Sequence, residues 1–299
     1  MRLRRVPFAV LLCGPVVSCA LAACAPSSPA SGAPRLRLHE LASEVYGNDR
    51  LVRVWVPAGY DDPAEAETRY PVLYLNDGQN VFDTATALFG DAEWRADEVV
   101  DSLIAAGRIP PLIVVGIDDA GRSGRAHEYL PYPDEYLDPP EPDPRGDLYA
   151  AFLRDEVFPL VDGRYRTRKD ARTLGGSSYG ALVMLYVAAT APDLASSLLL
   201  ESPSLYVDDG AIFDAVEGAD LALRRVYVGI GTNEVGAPGC EQTADNVMAV
   251  EDVRRLARLL DTKDHDSLRT RVSVEACARH GEAAWARRLP AALEFLLGR

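Results

Sequence analysis

The 299-residue sequence is short of positive charge: Lys and Arg total 31 against 45 Asp and Glu, a formal net charge of −14. Such a surface repels phosphate backbones and anionic lipid, so no nucleic-acid partner is expected. Beyond residue 23 no apolar run approaches the roughly 18 residues a membrane-spanning helix needs. Histidine is scarce, with four in the chain, which narrows any search for a general base. Cofactor motifs are also missing. Gly229-x-Gly231-x-x-Glu234 lacks the third glycine of a dinucleotide loop, and no Gly-Lys-Ser/Thr phosphate loop occurs. His280-Gly281-Glu282 imitates part of a zinc deaminase signature without its Pro-Cys-x-x-Cys partner. Neither a metal nor an organic cofactor is expected. What is present is 48% hydrophobic and 25% charged residues, enough to bury a core and unlike a disordered or fibrous chain.

The N-terminus reads as an address. Arg2, Arg4 and Arg5 precede an apolar stretch from Val6 to Ala23, the pattern of an export signal. Leu21-Ala22-Ala23-Cys24 resembles the lipobox of bacterial lipoproteins, which implies acylation of Cys24 and a lipid anchor in the cell envelope. Val16-Val17-Ser18-Cys19 fits more loosely, and Ala20-Leu21-Ala22 offers an ordinary cleavage site that would release a soluble secreted protein. Residues 25–34, APSSPASGAP, hold no large apolar side chain and read as a tether. The expected organisation is a signal over 1–23, a lipidated tether over 24–34 and one catalytic domain over 35–299. Contact with membrane is expected only through the anchor.

Within the domain, Arg35 to Leu41 and Leu51 to Pro57 alternate with period two around Gly47-Asn48-Asp49, predicting an antiparallel hairpin. Short apolar runs follow at Pro71 to Asn76, Leu112 to Ile117, Ala171 to Gly175, Ser196 to Ser202, Val226 to Ile230 and Arg271 to Cys277. These suit strands buried on both faces. Helical spacing marks Glu93 to Ala106, Asp147 to Val161, Tyr179 to Ala191, Asn246 to Leu260 and Ala283 to Leu297. The alternation predicts an α/β fold: a mostly parallel central sheet, antiparallel strands at its start, helices on both faces, and a site beyond the strands' carboxyl ends. Residues 118–146 break the rhythm with many Pro, Asp and Glu and read as a substrate-side flap.

Gly176-Ser177-Ser178-Tyr179-Gly180 stands where a strand gives way to a helix, the setting of a nucleophile elbow. Glycines two before and two after Ser178 permit the tight turn, and Ser177 lacks that framing. A hydroxyl needs a base to take its proton. In the order nucleophile, acid, histidine, the base is His265 or His280, and His280 follows the last predicted strand at its carboxyl end. His265 precedes that strand, on the wrong side of the sheet. The acid belongs on another strand-end loop, where Glu234 follows Val226 to Ile230, with Asp208 and Asp209 as rivals. Oxyanion donors are expected from the backbone N–H groups of Tyr179 and Gln79, the latter in Asn76-Asp77-Gly78-Gln79-Asn80, where Gly78 permits a tight turn.

The set Tyr70-Pro71-Val72-Leu73-Tyr74-Leu75 with Asp77-Gly78-Gln79, Gly176-Ser177-Ser178-Tyr179-Gly180, Gly231-Thr232-Asn233-Glu234, and His280 followed by Trp285 resembles one esterase family. It includes enterochelin esterases, feruloyl and acetyl-xylan esterases, esterase D and the antigen 85 mycolyltransferases, all α/β-hydrolases. The resemblance implies Ser178, Glu234 and His280 as triad, with Tyr179 and Gln79 as oxyanion donors. Arg125, Glu128 and Tyr129 look like the family's Arg-x-x-Glu-Tyr segment near the entrance. Arg125 and Trp285 are thus candidates for substrate contact, against a salt bridge for Arg125 and a core role for Trp285. Cys240 and Cys277 form an even pair, expected to bond in an exported protein and to staple the acid loop to the histidine loop. The function expected is a serine carboxylic-ester hydrolase acting on a small-molecule ester. Siderophore lactones, plant-wall aromatic esters, sugar acetates and simple lipids all suit the chemistry. The alternatives are an acyltransferase of the antigen 85 type and a noncatalytic binding lipoprotein on the same scaffold.

Overall fold

A computed structural model describes residues 34–88, 92–263 and 268–298. The expected signal, Cys24, nearly all of the expected tether and His265 lie outside the described residues.

Eight strands make one sheet: β1 (Leu36–Ser43), β2 (Asn48–Trp55), β3 (Tyr70–Asn76), β4 (Ile113–Ile117), β5 (Thr167–Ser177), β6 (Ser197–Glu201), β7 (Arg225–Gly231) and β8 (Arg269–Glu275). Their spatial order is β1-β2-β4-β3-β5-β6-β7-β8. The first two form an antiparallel hairpin, β2 runs antiparallel to β4, and every later pairing is parallel. Gly47, at φ +67°, turns the hairpin. Because β3 to β8 run parallel, their carboxyl ends share one edge of the sheet, where the loops after them converge.

Side chains alternate between the two faces, and both are buried. On β3, Val72 and Tyr74 join the core on one face, while Leu73 and Leu75 join the core on the other. Helices α1 (Ala96–Ala105) and α8 (Glu282–Leu297) cover the second face, with Val100, Leu103, Leu289 and Leu293 packed on it. The first face is covered by α5 (Tyr179–Thr190), α6 (Ala211–Gly218) and α7 (Ala244–Thr262), together with the segment from Tyr149 to Asp162. Helix α5 is apolar nearly all round, as a helix at the centre of a fold must be.

Three local expectations change. The single helix over Asp147 to Val161 is two short helices, α3 (Tyr149–Phe152) and α4 (Phe158–Asp162), joined by a π-helical turn at Leu153–Val157. Pro159 supplies the cause, since it has no N–H to donate into the preceding turn. Helix α6 carries too short an apolar pattern to stand out in sequence. Residues 118–146, expected as a substrate-side flap, are packed at both ends, while the mostly exposed stretch from 135 to 143 carries Tyr136. They contain a short helix, α2 (Arg125–Tyr129), whose Glu128 forms a buried ion pair with Arg50 on β2 at 2.6 Å. Tyr129 and Leu130 are fully buried, and Tyr136 remains exposed.

Candidate active site

Ser178 sits between β5 and α5 with φ 57° and ψ −127°, a strained conformation for a residue with a side chain. The strand pairing ends at Ser177, and the Ser178 N–H donates to Glu201 O at 3.0 Å, so the turn is held from the neighbouring strand. Gly176 is obligatory, and Gly180 is tightly confined. A Cβ on Gly176 would lie 2.8 Å from the backbone carbon of Gly180, and one on Gly180 would lie 3.1 Å from Asn76 Cβ. The sequence pattern therefore has a steric origin. Ser178 Oγ lies 3.4 Å from Ser204 Oγ, on the loop after β6.

His280 stands on the loop between β8 and α8, and its Nδ1 pairs with Glu234 Oε2 at 2.7 Å. The other glutamate oxygen accepts the Gly231 N–H at 2.6 Å and the Ser202 hydroxyl at 3.0 Å. Gly231 has no room for a side chain, since a Cβ there would meet Ala278 O at 2.1 Å. Acid loop and histidine loop are further joined by Thr232 N to Glu275 O and Asn233 N to Ala278 O, both 3.0 Å. The Cys240–Cys277 disulfide links the same two loops, with Cα atoms 5.3 Å apart. Asp208 and Asp209 are exposed at left-handed positions away from this cluster, so they do not compete for His280.

Ser178, Glu234 and His280 line one cavity of about 390 Å³ with Ser202, Ser204, Tyr206 and Tyr136. Its outer wall is a stripe of α7, Asp245, Met248, Ala249 and Asp252, spaced three and four apart. Among the described residues lining it there is no Lys or Arg. Tyr136 and Tyr206 meet edge to face, ring centroids 5.6 Å apart.

The Gln79 loop borders the elbow. Asp77, at φ 56° and ψ 48°, makes the sharp turn off β3, and Gly78 to Asn80 form a single 3₁₀ turn. The tight turn expected at Gly78 is therefore made one residue earlier. Gly78 is required for a different reason: its Cβ would lie 2.5 Å from the backbone carbon of Gly116 on β4. The turn's own bonds use Asn80 N and Val81 N, not Gln79 N. Tyr179 N is the first N–H of α5, which has no acceptor inside its own helix. Asn80 Nδ2 reaches Glu282 Oε1 at 2.9 Å, tying this loop to the start of α8, and burial holds the Glu282 carboxyl above its ordinary range.

The two candidate substrate contacts are occupied by protein. Arg125 Nε and an Nη bond the Asp77 carboxylate at 2.7 and 2.8 Å, and the side chain does not line the cavity. Trp285 is buried, its Nε1 donates to Ser202 Oγ at 3.0 Å, and its ring packs edge-on to His280 with centroids 5.2 Å apart. Ser202 and Ser204, which no sequence motif marks, also line the cavity. Their signal was position, in Glu201-Ser202-Pro203-Ser204 at the carboxyl end of a central strand.

Comparison with known proteins agrees with this architecture. Residues 43–296 match the Esterase family model, described as "Putative esterase". The chain is 25% identical over 227 residues to "Uncharacterized protein YjcH" of Bacillus subtilis, covering 75% of this chain and 83% of that one. It is 28% identical over 167 residues to "Siderophore triacetylfusarinine C esterase" of Aspergillus fumigatus, covering 54% of this chain and about half, 53%, of that protein. The structure of siderophore hydrolase EstB from Aspergillus nidulans superposes with a TM-score of 0.68 at 21% identity, covering 91% of this chain and 97% of that one. With the match running from the end of β1 into α8, the chain belongs to the Esterase family and is a carboxylic-ester hydrolase of the α/β-hydrolase fold.

Proposed function

We propose that the chain is a serine esterase working through Ser178, His280 and Glu234. The observation that carries this reading is the 2.7 Å bond between His280 Nδ1 and Glu234 Oε2 in the cavity that Ser178 also lines. That bond fixes the tautomer that leaves Nε2 as the basic nitrogen. His280 takes the Ser178 proton as Oγ attacks the ester carbonyl. The resulting oxyanion is received by the Tyr179 and Gln79 N–H groups. Collapse expels the alcohol, which takes its proton from His280 and leaves an acyl-Ser178. Water deprotonated by His280 then attacks the acyl group, releasing the acid and restoring the serine. The hydroxyl-to-imidazole bond often tightens only once substrate is bound.

The substrate is an uncharged ester with an aromatic or flexible apolar part. Tyr136, Tyr206, Leu205, Val235 and Met248 supply apolar surface, while Asp245 and Asp252 oppose an anionic acyl group. Siderophore esters and aromatic or sugar esters both fall in this range, and the relatives named for siderophore ester cleavage favour the first. The enzyme acts outside the cytoplasm, lipid-anchored at Cys24, a reading supported by Leu21-Ala22-Ala23-Cys24 and by a disulfide of the kind oxidising compartments retain.

Ser178→Ala tests the chemistry. Hydrolysis of short neutral aryl esters and labelling by a fluorophosphonate should both vanish in the folded variant, and survival of either overturns the assignment. A ferric siderophore ester and a feruloyl sugar ester, assayed side by side with and without an acceptor alcohol, separate the substrate classes and expose any acyl transfer. Detergent-phase partitioning that persists in Cys24→Ala would remove the anchor from the reading.

A further inference from the structure

An oxyanion hole works only when its donors sit within about 0.5 Å of their productive positions. Here the two donors belong to separate segments, Gln79 on the turn after β3 and Tyr179 on the elbow after β5. Strand pairing between β3 and β5 stops at Leu75 and Gly175, so the ladder ends before either donor. Side chains must set the spacing beyond that point.

Arg125 lies against both segments. Its guanidinium grips the Asp77 carboxylate through two nitrogens at 2.7 and 2.8 Å and reaches the Ser177 carbonyl at 3.5 Å. It lies 3.9 Å from Asp119, whose carboxylate accepts from Gln79 Nε2 at 3.0 Å, and Asp119 N in turn donates to Gln79 Oε1 at 3.2 Å. It also sits beside the Tyr179 ring, 5.7 Å from its centroid. The rest of α2 completes the bracket. Tyr129 OH accepts the Asp77 N–H at 3.2 Å, and Glu128 anchors the helix to Arg50 and Asn48. Asn76 Nδ2 adds a direct link across the gap, to Gly180 O at 3.1 Å.

We propose that Arg125 is a positioning residue for the oxyanion hole, holding the Gln79 and Tyr179 N–H groups at their working separation. The proposal rests on the serine-esterase reading above. Two carboxylates, Asp77 and Asp119, flank Gln79. Arg125 bonds the first at 2.7 Å and lies 3.9 Å from the second, and without its charge their mutual repulsion is no longer offset and the turn opens. A lysine keeps the charge but loses the planar fork that grips Asp77 while reaching Ser177. In this role the Arg-x-x-Glu-Tyr segment never touches substrate: Arg125 and Tyr129 hold Asp77, and Glu128 holds the helix.

The test compares the full chain with Arg125→Gln, Arg125→Lys, Asp77→Asn and Ser178→Ala, each first shown to keep the wild-type near-ultraviolet circular dichroism. Arg125→Lys is the variant expected to fold most readily. The substrates are a neutral 4-nitrophenyl ester and a 4-nitrophenyl ester whose acyl chain ends in a carboxylate. Loss of positioning lowers kcat by about 10- to 100-fold on both, with KM changed less than about threefold. A trifluoromethyl ketone, whose hemiketal with Ser178 places an oxyanion in the hole, should lose affinity by the same factor as kcat/KM. Unchanged kcat in the folded Arg125 variants overturns the proposal, as does a KM rise confined to the anionic ester, which would make Arg125 a substrate ligand. If Ser178→Ala remains active, the serine-esterase reading fails instead.

Discussion

Glu234 has both carboxylate oxygens committed, one to His280 Nδ1 at 2.7 Å and the other to the Gly231 N–H and the Ser202 hydroxyl. The side chain therefore cannot swing away when the imidazole becomes charged. Glu234→Gln keeps the shape but removes the charge that stabilises the imidazolium and disturbs the tautomer. The expected result is a fall in kcat of about 10² to 10⁴ with KM nearly constant, measured on a neutral aryl ester. Asp208→Asn and Asp209→Asn should stay within about twofold of wild type, since both aspartates are exposed outside the cavity. A large loss in either aspartate variant, with Glu234→Gln active, would reassign the acid.

Ser202 connects that acid to the core. Its hydroxyl donates to Glu234 and accepts the buried Trp285 indole N–H at 3.0 Å. Ser202→Ala leaves the indole N–H without an acceptor, a cost of about 1 to 3 kcal/mol in unfolding free energy. It also frees one side of Glu234, so kcat should drop roughly tenfold. Trp285→Phe removes the orphaned donor, and the double variant should regain part of the stability lost in Ser202→Ala. Urea denaturation of the three variants checks the order.

What could be read from the sequence, and what could not, follows the range of the forces involved. The elbow was legible because Gly176 is demanded by a contact within the same turn, with Gly180, although Gly180 itself is confined by Asn76 and Asp77 from a distant strand end. Strands β3, β4, β6 and β7 were legible because burial on both faces leaves continuous apolar runs, whereas β8, expected as such a run over Arg271 to Cys277, is a half-exposed edge strand over Arg269–Glu275. Glu234 and His280 were legible because parallel strands bring their carboxyl ends to one edge. The partner of Arg125 was not, because Asp77 lies 48 residues away and several carboxylates were equally available on paper. Gly78 illustrates the same limit. Its presence suggested a turn, whereas the requirement comes from β4, whose pairing to β3 no local pattern reveals. Trp285 combined both problems, being near His280 in sequence yet turned inward by a hydrogen bond to Ser202.

Asp119 should leave a signature in pH dependence. Burial, and secondarily the charge of Asp77, push its carboxyl up to about 6, against the lowering effects of the Gly121 N–H and Arg125. A carboxyl raised on folding favours the native state most at low pH, and that contribution is lost as pH rises through about 6. Relative to Asp119→Asn, wild type should therefore lose stability between about pH 4 and pH 7, by on the order of 1 to 3 kcal/mol. Denaturant titrations of both proteins at pH 4.5 and 7.5 measure the difference. A gap between the two proteins that is the same at both pH values, or that grows in favour of wild type on going to pH 7.5, would contradict the assigned shift.

The Cys240–Cys277 bond spans 37 residues and joins the loop carrying Glu234 to the loop carrying His280. Closing a loop of that size in the unfolded chain stabilises the fold by about 3 to 4 kcal/mol on the chain-entropy account. The Glu234–His280 contact does not depend on it alone. Thr232 N to Glu275 O, Asn233 N to Ala278 O and Cys277 N to Thr232 Oγ1, at 2.8 to 3.0 Å, hold the loops independently. The double variant Cys240→Ser/Cys277→Ser should accordingly show a large stability loss and a small kinetic one, with kcat within about fivefold of wild type at 25 °C. Treating wild type with a phosphine reductant should lower its melting temperature toward that of the variant and leave the variant's own unchanged. A kcat loss above 100-fold in the folded double variant would mean that the disulfide, rather than the backbone bonds, sets the distance between Glu234 and His280.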